Sequence, residues 1–587
     1  MNDEIPVINK EYLVTEGVAG AGKTTTAIRN AKEALEKNPE NGNKIMAVTL
    51  TKAAANEFSK RTDGALPGYT AHNIALGILR TEARLKKEKV PQIIDTDAAN
   101  QMMTAIIAKE APKCDPELLM KDINKLRTLG TPEDKVAPEA AMVLEDYRDQ
   151  LRKKKQVDFT AILEEALELL KKPEIYSRYD GTILLSDETQ DTNPNLEWQI
   201  IDILRKRSSV FMMYASPSQE IYAFRGANYS KVCETIPDYA NKKQLLTSFR
   251  CPPEVVEVAK HLAGEDANQM SSSMPSSGFP VRWYEVANMS QETRLILEKI
   301  EKAKESDPNM KYNEVGILCH DSSELPVLEK TLNMYGYPAK KVGSAGNKYK
   351  QECVRRWADY LSIAINPKDD SVLDNIVNYP YQGLTETMLF PVHGIRRLSW
   401  NDIEKVVKEP EKFTPQMVDR ANALLKYREA AYQIATTKDM SVQDKVIHIS
   451  NESGILFGLT SKTGAISEAK TLMDINNEAQ QYGTINEFYK YLLEKSQEDN
   501  KESNCIELCT YHSSKGREWN HVFLCESGRT MRTNLMSDHD KLVARNLAYV
   551  ATTRAKKQLV IVTKEQDPVP FYLDFYLGNR RIWNGRN

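Results

Sequence analysis

The sequence predicts an α/β protein with two parallel-sheet domains, each interrupted by a mainly helical insertion. Short β-branched or apolar runs alternate with helical stretches in both halves of the chain, which is the pattern of parallel α/β domains. The 587 residues leave room for about three to five domains. No repeat of about 20–50 residues is visible, so a solenoid or propeller is not expected.

Nine runs are predicted strands: EYLVTEG, KIMAVTL, TILLSDE and SVFMMYA early, then VRWYEV, EVGILCH, IELCTYH, HVFLCES and QLVIVTK late. Two stretches rich in helix formers and charge interrupt them. The predicted order is 1–83 (first domain), 84–155 (helical insertion), 156–245 (first domain again), 246–365 (second domain), 366–499 (second insertion) and 500–587 (second domain again). The Ser-, Pro-, Gly- and Met-rich segment 264–280 predicts a flexible loop.

Composition limits the function classes. Lys and Arg number 79 against 82 Asp and Glu, a net charge of −3, so any nucleic-acid surface must be a local patch. The 41% hydrophobic content excludes a largely disordered chain. No apolar run approaches the roughly 18–20 residues that span a bilayer, and the start lacks a signal peptide. We expect a cytoplasmic protein of a prokaryote or virus, without membrane contact and with reduced cysteines.

The first predicted strand runs directly into residues 17–24, GVAGAGKT, which fit the pattern GxxxxGK[ST] and precede a helical segment. Backbone amides of such a loop surround phosphates, Lys23 reaches the terminal phosphates and Thr24 can hold Mg²⁺. A glycine-rich turn before a helix is the alternative interpretation. The predicted nucleotide-binding residues here are Gly17, Gly20, Ala21, Gly22, Lys23, Thr24 and Thr25.

Two adjacent acids follow the apolar strand TILLS. Asp187 can bind Mg²⁺, while Glu188 can accept a proton from the attacking water. A helix N-cap with an acidic first turn is the alternative. Phosphoryl transfer also needs positive charge on the γ-phosphate, for which Arg250 in TSFR and Arg554 ahead of the last predicted strand are candidates.

Seven further segments accompany the glycine-rich loop and the Asp187-Glu188 pair. In chain order they are VTLTKAAANEFSKR (48–61), TAHNIALGILR (70–80), VDFTAIL (157–163), SPSQEIYAFRGA (216–227), TSFRCPPEVVEVA (247–259), TYHSSKGREWNHVFL (510–524) and RNLAYVATTRAKK (545–557). Together they resemble the motif series of the UvrD/Rep family of superfamily one (1A) DNA helicases. The resemblance spans Gly17 to Lys557. It implies two RecA-like P-loop NTPase domains with ATP and Mg²⁺ as cofactors, and an inactive relative is the alternative.

The resemblance also implies roles for single residues. Gln190 and Gln219 would orient the water and sense the γ-phosphate. Arg250 and Arg554 would be arginine fingers from across the cleft, completing a catalytic set with Lys23, Glu188 and Gln219. Glu518 would contact the ribose, and Phe249 would stack on the base where the family usually has Tyr.

The DNA side follows the same logic. Tyr222 and Phe224 offer faces for base stacking, which tolerates any sequence, and their alternative is ordinary core packing. The other implied DNA contacts are Thr49, Thr51, Thr70, His72, Arg225 and His512. The basic runs 84–89 and 152–155 could line a nucleic-acid path or be solvated helix faces.

Departures from the family pattern carry expectations too. No Gln precedes Gln92, so strict preference for ATP is left open. Leu50 and Ala71 stand where the family has aromatic contacts to bases, and Ala215-Ser216 replace a usual Gly-Asp. A weaker grip on single strands is therefore expected.

We predict an ATP-dependent DNA helicase or single-stranded DNA translocase, 3′ to 5′ by resemblance. Its expected partners are single-stranded DNA, single/double-strand junctions and a protein loading factor, and the chain itself should be monomeric. The alternative is an ATP-gated DNA-binding switch, or a translocase subunit of a larger repair or defence complex, without unwinding of its own. RNA is a less favoured substrate, and about thirty residues after the last motif are too few for a nuclease domain.

Overall fold

The computed structural model describes residues 5–9, 11–37, 44–62, 64–94, 96–263, 267–342, 348–380, 398–462, 466–497, 504–526 and 536–584. The chain forms two compact units. The first comprises residues 1–343 and 504–587, and the second comprises residues 344–503.

The strands of the described residues, in chain order, are β1 (Glu11–Gly17), β2 (Ile45–Val48), β3 (Gly68–Tyr69), β4 (Gln92–Ile93), β5 (Gln156–Val157), β6 (Thr182–Ser186), β7 (Ser208–Ala215), β8 (Asn241–Leu245), β9 (Thr247–Ser248), β10 (Ser271–Ser272), β11 (Arg282–Val286), β12 (Val315–Cys319), β13 (Ala339–Lys341), β14 (Ile506–Thr510), β15 (Trp519–Glu526), β16 (Ala555–Lys564) and β17 (Arg580–Ile582). All nine predicted strands are confirmed.

The α-helices of the first unit are α1 (Lys23–Lys37), α2 (Lys52–Arg61), α3 (Ala71–Lys86), α4 (Thr96–Glu110), α5 (Pro116–Asn124), α6 (Pro138–Lys154), α7 (Phe159–Leu170), α8 (Pro173–Tyr176), α9 (Glu197–Arg207), α10 (Tyr229–Cys233), α11 (Pro253–Leu262), α12 (Met289–Ser306) and α13 (Leu325–Met334). The second unit contains α14 (Glu352–Ile365), α15 (Leu373–Ile376), α16 (Trp400–Lys408), α17 (Pro415–Thr436), α18 (Val442–Ser453), α19 (Ile455–Phe457), α20 (Ile466–Glu478) and α21 (Ile485–Gln497). The chain then returns to the first unit with α22 (Asp538–Thr552).

Two parallel sheets organise the first unit. The first has the order β3-β2-β6-β7-β1-β8 and the second the order β13-β14-β12-β15-β16-β11-β17. Every strand pair in both is parallel. Helices cover both faces of such sheets, so their central strands are continuously apolar. All five residues of β6 are buried. The predicted α/β class is confirmed.

The strand order positions the site. β1 lies between β7 and β8 inside the first sheet, and all three are parallel, so their carboxyl ends lie at one edge. Ligands of parallel sheets bind at that edge.

The first insertion is helical, as predicted, with α4, α5 and α6 between β4 and β5. Asp115 caps α5 by accepting from the Glu117 and Leu118 amides, and Pro116 begins the helix, a sequence suited to a helix start. The two-residue ladder of β4 with β5 was not predicted, because it is too short to show strand periodicity.

The regular elements among the described residues of the second unit are all helices. Its core contains Trp357, Tyr360 and Phe488, all fully buried. Of the predicted loop 264–280, residues 264–266 lie outside the described residues, and Ser271–Ser272 forms β10, which pairs with β9. Within the described parts of the chain, no helix is long and apolar enough to cross a membrane.

Candidate nucleotide and DNA site

The loop after β1 rests against the segment that follows β8. The Phe249 amide donates to the Gly20 carbonyl at 2.9 Å. Gly20 has φ +73°, and a Cβ there would lie 2.6 Å from the Arg250 Cβ, so only glycine fits this contact. On the other side, the Ala19 amide donates to the Tyr549 hydroxyl of α22 at 3.0 Å. The loop therefore touches elements that lead to both sheets.

Lys23 begins α1 and folds back over the loop. Its ammonium donates to the Gly17 and Val18 carbonyls at 3.2 and 3.4 Å. Burial lowers its pKa, although nearby Glu188 and Asp187 oppose the shift. The Gly17 carbonyl also accepts from the Ser216 hydroxyl at 2.6 Å. Gly17 thus supports the loop from beneath, while Lys23 carries a desolvated positive charge suited to phosphate.

Thr24 and Asp187, the two residues predicted to hold Mg²⁺, lie next to each other. The Thr24 hydroxyl donates to Asp187 Oδ2 at 3.3 Å. Burial raises the pKa of Asp187 to about 7, and the neighbouring Glu188 adds to this. A hydroxyl beside a carboxylate supplies the oxygen ligands that Mg²⁺ prefers, and a divalent cation would offset the cost of the buried charge. The residues present fit a magnesium ion.

Glu188 has a left-handed backbone conformation with φ +53°, and Gln190 holds its side chain. The Gln190 amide donates to Glu188 Oε2 at 2.6 Å, and its Oε1 accepts from the Ser216 amide at 2.8 Å. Burial opposes ionisation of Glu188, but Lys515 and Lys23 outweigh it and lower its pKa. A charged carboxylate can accept a proton. Glu188 does occupy the N-cap position of the short helical turn Thr189–Asp191, as the alternative interpretation expects, but its side chain makes no capping hydrogen bond.

Gln190 was predicted to meet the nucleotide directly. The structure instead places it fully buried behind Glu188. Its geometry makes it a positioning residue for Glu188.

Lys515 is a charged residue of the site that the sequence analysis did not single out. It follows β14 of the second sheet, yet its ammonium donates to Asp191 of the first and to the Gln219 carbonyl at 3.0 Å. It also lies 3.6 Å from Glu188 Oε2. Burial opposes its charge, but Asp191 and Glu188 outweigh this and raise its pKa. The signal was present as the Lys of SSKGREW, three residues before the predicted Glu518.

The two predicted arginine fingers differ in their surroundings. Arg554 is 2% exposed and donates to the Val550 and Arg517 carbonyls at 2.8 and 3.2 Å. Burial and the neighbouring Arg250 lower its pKa to about 10. Arg250 donates to Glu518 Oε2 at 2.7 Å. No ion pair holds Arg554 within the described residues, so its desolvated charge suits an incoming phosphate.

A cavity of about 560 Å³ collects these groups from both sheets. The predicted residues that line it are Gly20, Ala21, Gly22, Lys23, Thr24, Thr25, Thr49, Thr51, Asp187, Glu188, Gln219, Tyr222, Phe249, Arg250, Glu518 and Arg554. Leu50, Glu57, Arg61, Asp191 and Lys515 line it as well, without having been predicted. Phe249 is 64% exposed, so its face is free to stack on a base.

Four of the predicted DNA-contacting residues form an aromatic and basic cluster beside the cavity. Phe224 lies 5.9 Å from Tyr222 and 5.8 Å from His512 between ring centroids. Arg225 lies over the Tyr222 ring at 5.7 Å. Phe224 is 69% exposed, which favours stacking on a ligand over core packing.

Two of the residues predicted to contact DNA, Thr51 and Thr70, act as helix N-caps. The Thr51 hydroxyl caps α2 by accepting from the Ala54 amide, and the Thr70 hydroxyl caps α3 by accepting from the Asn73 amide, both at 3.2 Å. Their free capacity for DNA is reduced accordingly.

Thr49 and His72 lie beside them. The Thr49 hydroxyl is buried and has no hydrogen-bond partner among the described residues. Burial lowers the pKa of His72, although Glu197 at 3.9 Å opposes it. Thr49, Thr70 and His72 line one small recess next to the nucleotide cavity.

The fold and the site define a P-loop nucleoside triphosphatase with a cleft between two parallel sheets. The UvrD/REP helicase N-terminal domain matches residues 3–240, and the UvrD-like helicase C-terminal domain matches residues 244–566. The chain therefore belongs to the UvrD/REP helicase family, a family of ATP-hydrolysing DNA helicases, as the motif series predicted.

Relatives align along most of the chain. ATP-dependent DNA helicase PcrA of Leuconostoc citreum is 24% identical over 595 residues, 92% of this chain and 78% of the relative. PcrA of Bacillus subtilis is 25% identical over 616 residues, with 95% and 82% covered. DNA helicase II of Haemophilus influenzae is 25% identical over 613 residues, with 94% and 81% covered.

Proposed function

We propose that this chain couples ATP hydrolysis to 3′-to-5′ movement on single-stranded DNA and separates duplex strands at junctions. The observation that carries the proposal is the position of Lys515. Its ammonium joins Asp191 and Glu188 at the nucleotide cavity and lies 5.3 Å over the Tyr222 ring of the aromatic cluster. The buried Lys515 ammonium thus contacts both Glu188, the proposed proton acceptor, and Tyr222 of the aromatic and basic cluster.

Hydrolysis follows from the charges around the cavity. Lys23 would hold the terminal phosphates, and Thr24 with Asp187 would hold Mg²⁺, which when bound neutralises phosphate charge. Glu188, kept ionised by Lys515 and Lys23, accepts a proton from the attacking water. Arg554 and Arg250 stabilise the charge that develops on the γ-phosphate.

Movement follows from the two-sheet arrangement. Asp187 and Glu188 follow β6 of the first sheet, whereas Lys515 follows β14 and Arg554 precedes β16 of the second. Nucleotide that bridges them favours a closed cleft, and hydrolysis removes that bridge. Phe224 and Tyr222 would hold one base by stacking while the cleft changes. The 3′-to-5′ direction rests on the motif resemblance.

The relatives support the same activity, since their names are ATP-dependent DNA helicase and DNA helicase II. We also propose the six-segment domain division given above, a protein loading partner and a monomeric chain. These parts rest on the sequence pattern and the resemblance.

The test is steady-state ATPase with and without single-stranded DNA, for wild type and Glu188→Gln together. Strong stimulation in wild type, lost in the variant, is the expected result. Unwinding of duplexes with a 3′ or a 5′ single-stranded tail then assigns the direction. Hydrolysis that ignores DNA would refute the proposal.

The alternative is a nucleotide-gated DNA-binding switch, favoured by Leu50 and Ala71 at positions where aromatic contacts would strengthen the grip on DNA. DNA-stimulated ATPase without strand displacement by the isolated chain would support the switch.

A further inference from the structure

A cavity of about 990 Å³ lies apart from the nucleotide site, between the first insertion and helices of the first sheet. Helices α3, α6, α7 and α9 contribute its walls. Leu126, Leu169 and Ile203 line it and are only partly buried. The recess therefore has an apolar wall that an apolar side chain could contact.

Most of the glutamates that line this cavity are already neutralised. Glu82 pairs with Lys172 and Lys86, Glu145 with Arg152, Glu164 with Arg127 and Arg148, and Glu168 with Lys171. Glu88 and Glu165 remain. Burial raises the pKa of Glu165, and Glu164 adds to the shift, so this side chain opposes an incoming anion less than a fully ionised carboxylate would.

The rim of the cavity carries surplus positive charge. The β4–β5 ladder places runs 84–89 and 152–155 side by side, with the Gln92 amide donating to the Lys155 carbonyl at 2.9 Å. These runs hold eight basic residues and one acidic residue. Four of the lysines form no ion pair within the described residues. Lys155 lines the cavity itself, and Lys87, Lys153 and Lys154 are next to lining residues in the sequence. Runs 84–89 and 152–155 are the two basic runs that the sequence analysis interprets either as part of a nucleic-acid path or as solvated helix faces.

Two of these lysines occupy costly backbone positions. Lys87 closes α3 with φ +54° and Lys155 closes α6 with φ +52°. Left-handed residues at helix ends are usually glycine, because a Cβ is disfavoured there. The backbone therefore does not require lysine at either position, and what lysine adds is its charged side chain.

We infer that this cavity and its basic rim bind an acidic peptide segment of another protein through both charge and one apolar side chain. Carboxylates of the segment would lie against the rim lysines, and the apolar side chain would contact Leu126, Leu169 and Ile203. The DNA backbone is the other polyanion to consider, but phosphates offer nothing apolar to fill the recess. This binding goes beyond the proposed motor activity and does not depend on ATP hydrolysis.

The probe is a fluorescein-labelled ten-residue peptide with four aspartates and a terminal phenylalanine, titrated with the full chain by fluorescence anisotropy. The double variant Lys87→Gly/Lys155→Gly should weaken binding by about tenfold. It should stay folded, because glycine suits both positions. Gln199 is exposed and lines the cavity, so Gln199→Glu should weaken binding and Gln199→Lys should strengthen it.

Three outcomes would overturn the inference. The first is that the labelled peptide shows no anisotropy change with an excess of the wild-type chain. The second is that the peptide with phenylalanine replaced by serine binds equally well. The third is that the double variant loses affinity for a short duplex DNA but not for the peptide. The last result would make the rim a phosphate surface. DNA-stimulated ATPase of the same variants should match wild type, so failure of the motor proposal would be seen separately.

Discussion

Replacement of Lys515 by Met should uncouple ATP hydrolysis from DNA. Met keeps the length of the side chain but removes the ammonium that joins Asp191, Glu188 and the Gln219 carbonyl. ATP binding through the P-loop should persist, because Lys515 makes none of the contacts of Lys23 or Thr24. The expected loss is therefore in the stimulated rate.

The magnitude follows from the buried pair. A hydrogen bond to a charged group contributes about 1.5–3 kcal/mol, which corresponds to roughly 10–150-fold in an equilibrium or rate. Burial raises the pKa of Asp191 to about 7 despite Lys515. Below pH 7 Asp191 is protonated in wild type too, and the pair is weakened. The deficit of the variant should consequently be larger at pH 8 than at pH 6.

The assay is ATPase against single-stranded DNA concentration at both pH values. Stimulated kcat should fall by about 10–150-fold, with little change in the KM for ATP. Lys557→Met is the matched control, since Lys557 is half exposed and pairs with Asp307 at 3.6 Å outside the cavity. Adding Asp191→Asn to the Lys515 variant should restore thermal stability but not stimulation. Wild-type stimulation in Lys515→Met would refute the coupling role.

Three further predictions concern other parts of the first unit. Phe224→Ala should weaken single-stranded DNA binding by about 1–3 kcal/mol and impair unwinding, and unchanged unwinding would assign Phe224 to packing alone. Gly20→Ala should abolish ATPase, because the new Cβ would collide with Arg250. A Cβ at Gly22 would have no atom within 4 Å, so Gly22→Ala should cost only about 1–2 kcal/mol of backbone strain. Equal effects of the two variants in ATPase and melting assays would contradict this. Burial raises the pKa of Glu526 to about 7, so the folded state loses stability as pH rises from about 4 to 7. Glu526→Gln should therefore stabilise the protein by roughly 3 kcal/mol at pH 8 and little at pH 4. A pH-independent change in Tm would refute this prediction.

The strands could be predicted because parallel sheets need apolar runs buried on both faces. TILLS and VGILC satisfy that need without help from distant residues, and β6 and β12 are fully buried. β4 and β5 could not be predicted, since two residues each show no periodicity and their pairing joins Gln92 to Gln156 across a sequence separation of 64 residues.

The local parts of the site followed from motif spacing. The P-loop, Thr24 and Asp187 lie where a strand meets a helix or turn, and short-range geometry fixes them. The Lys515 to Asp191 link spans 324 residues, so no local pattern contains it. For Gln190 the sequence indicates that the residue belongs to the site, but only the fold shows that its side chain contacts Glu188.

The strand order also constrains how the protein can be made. β1 emerges first from the ribosome but pairs only with β7 and β8, so the phosphate loop lacks its sheet neighbours until about residue 245 has been synthesised. Arg554 and the last strands of the second sheet follow some three hundred residues later. Nascent chains consequently expose an unfinished cleft until Arg554 and these strands have emerged, whereas a nucleotide can stabilise the first domain as soon as β7 and β8 have joined β1.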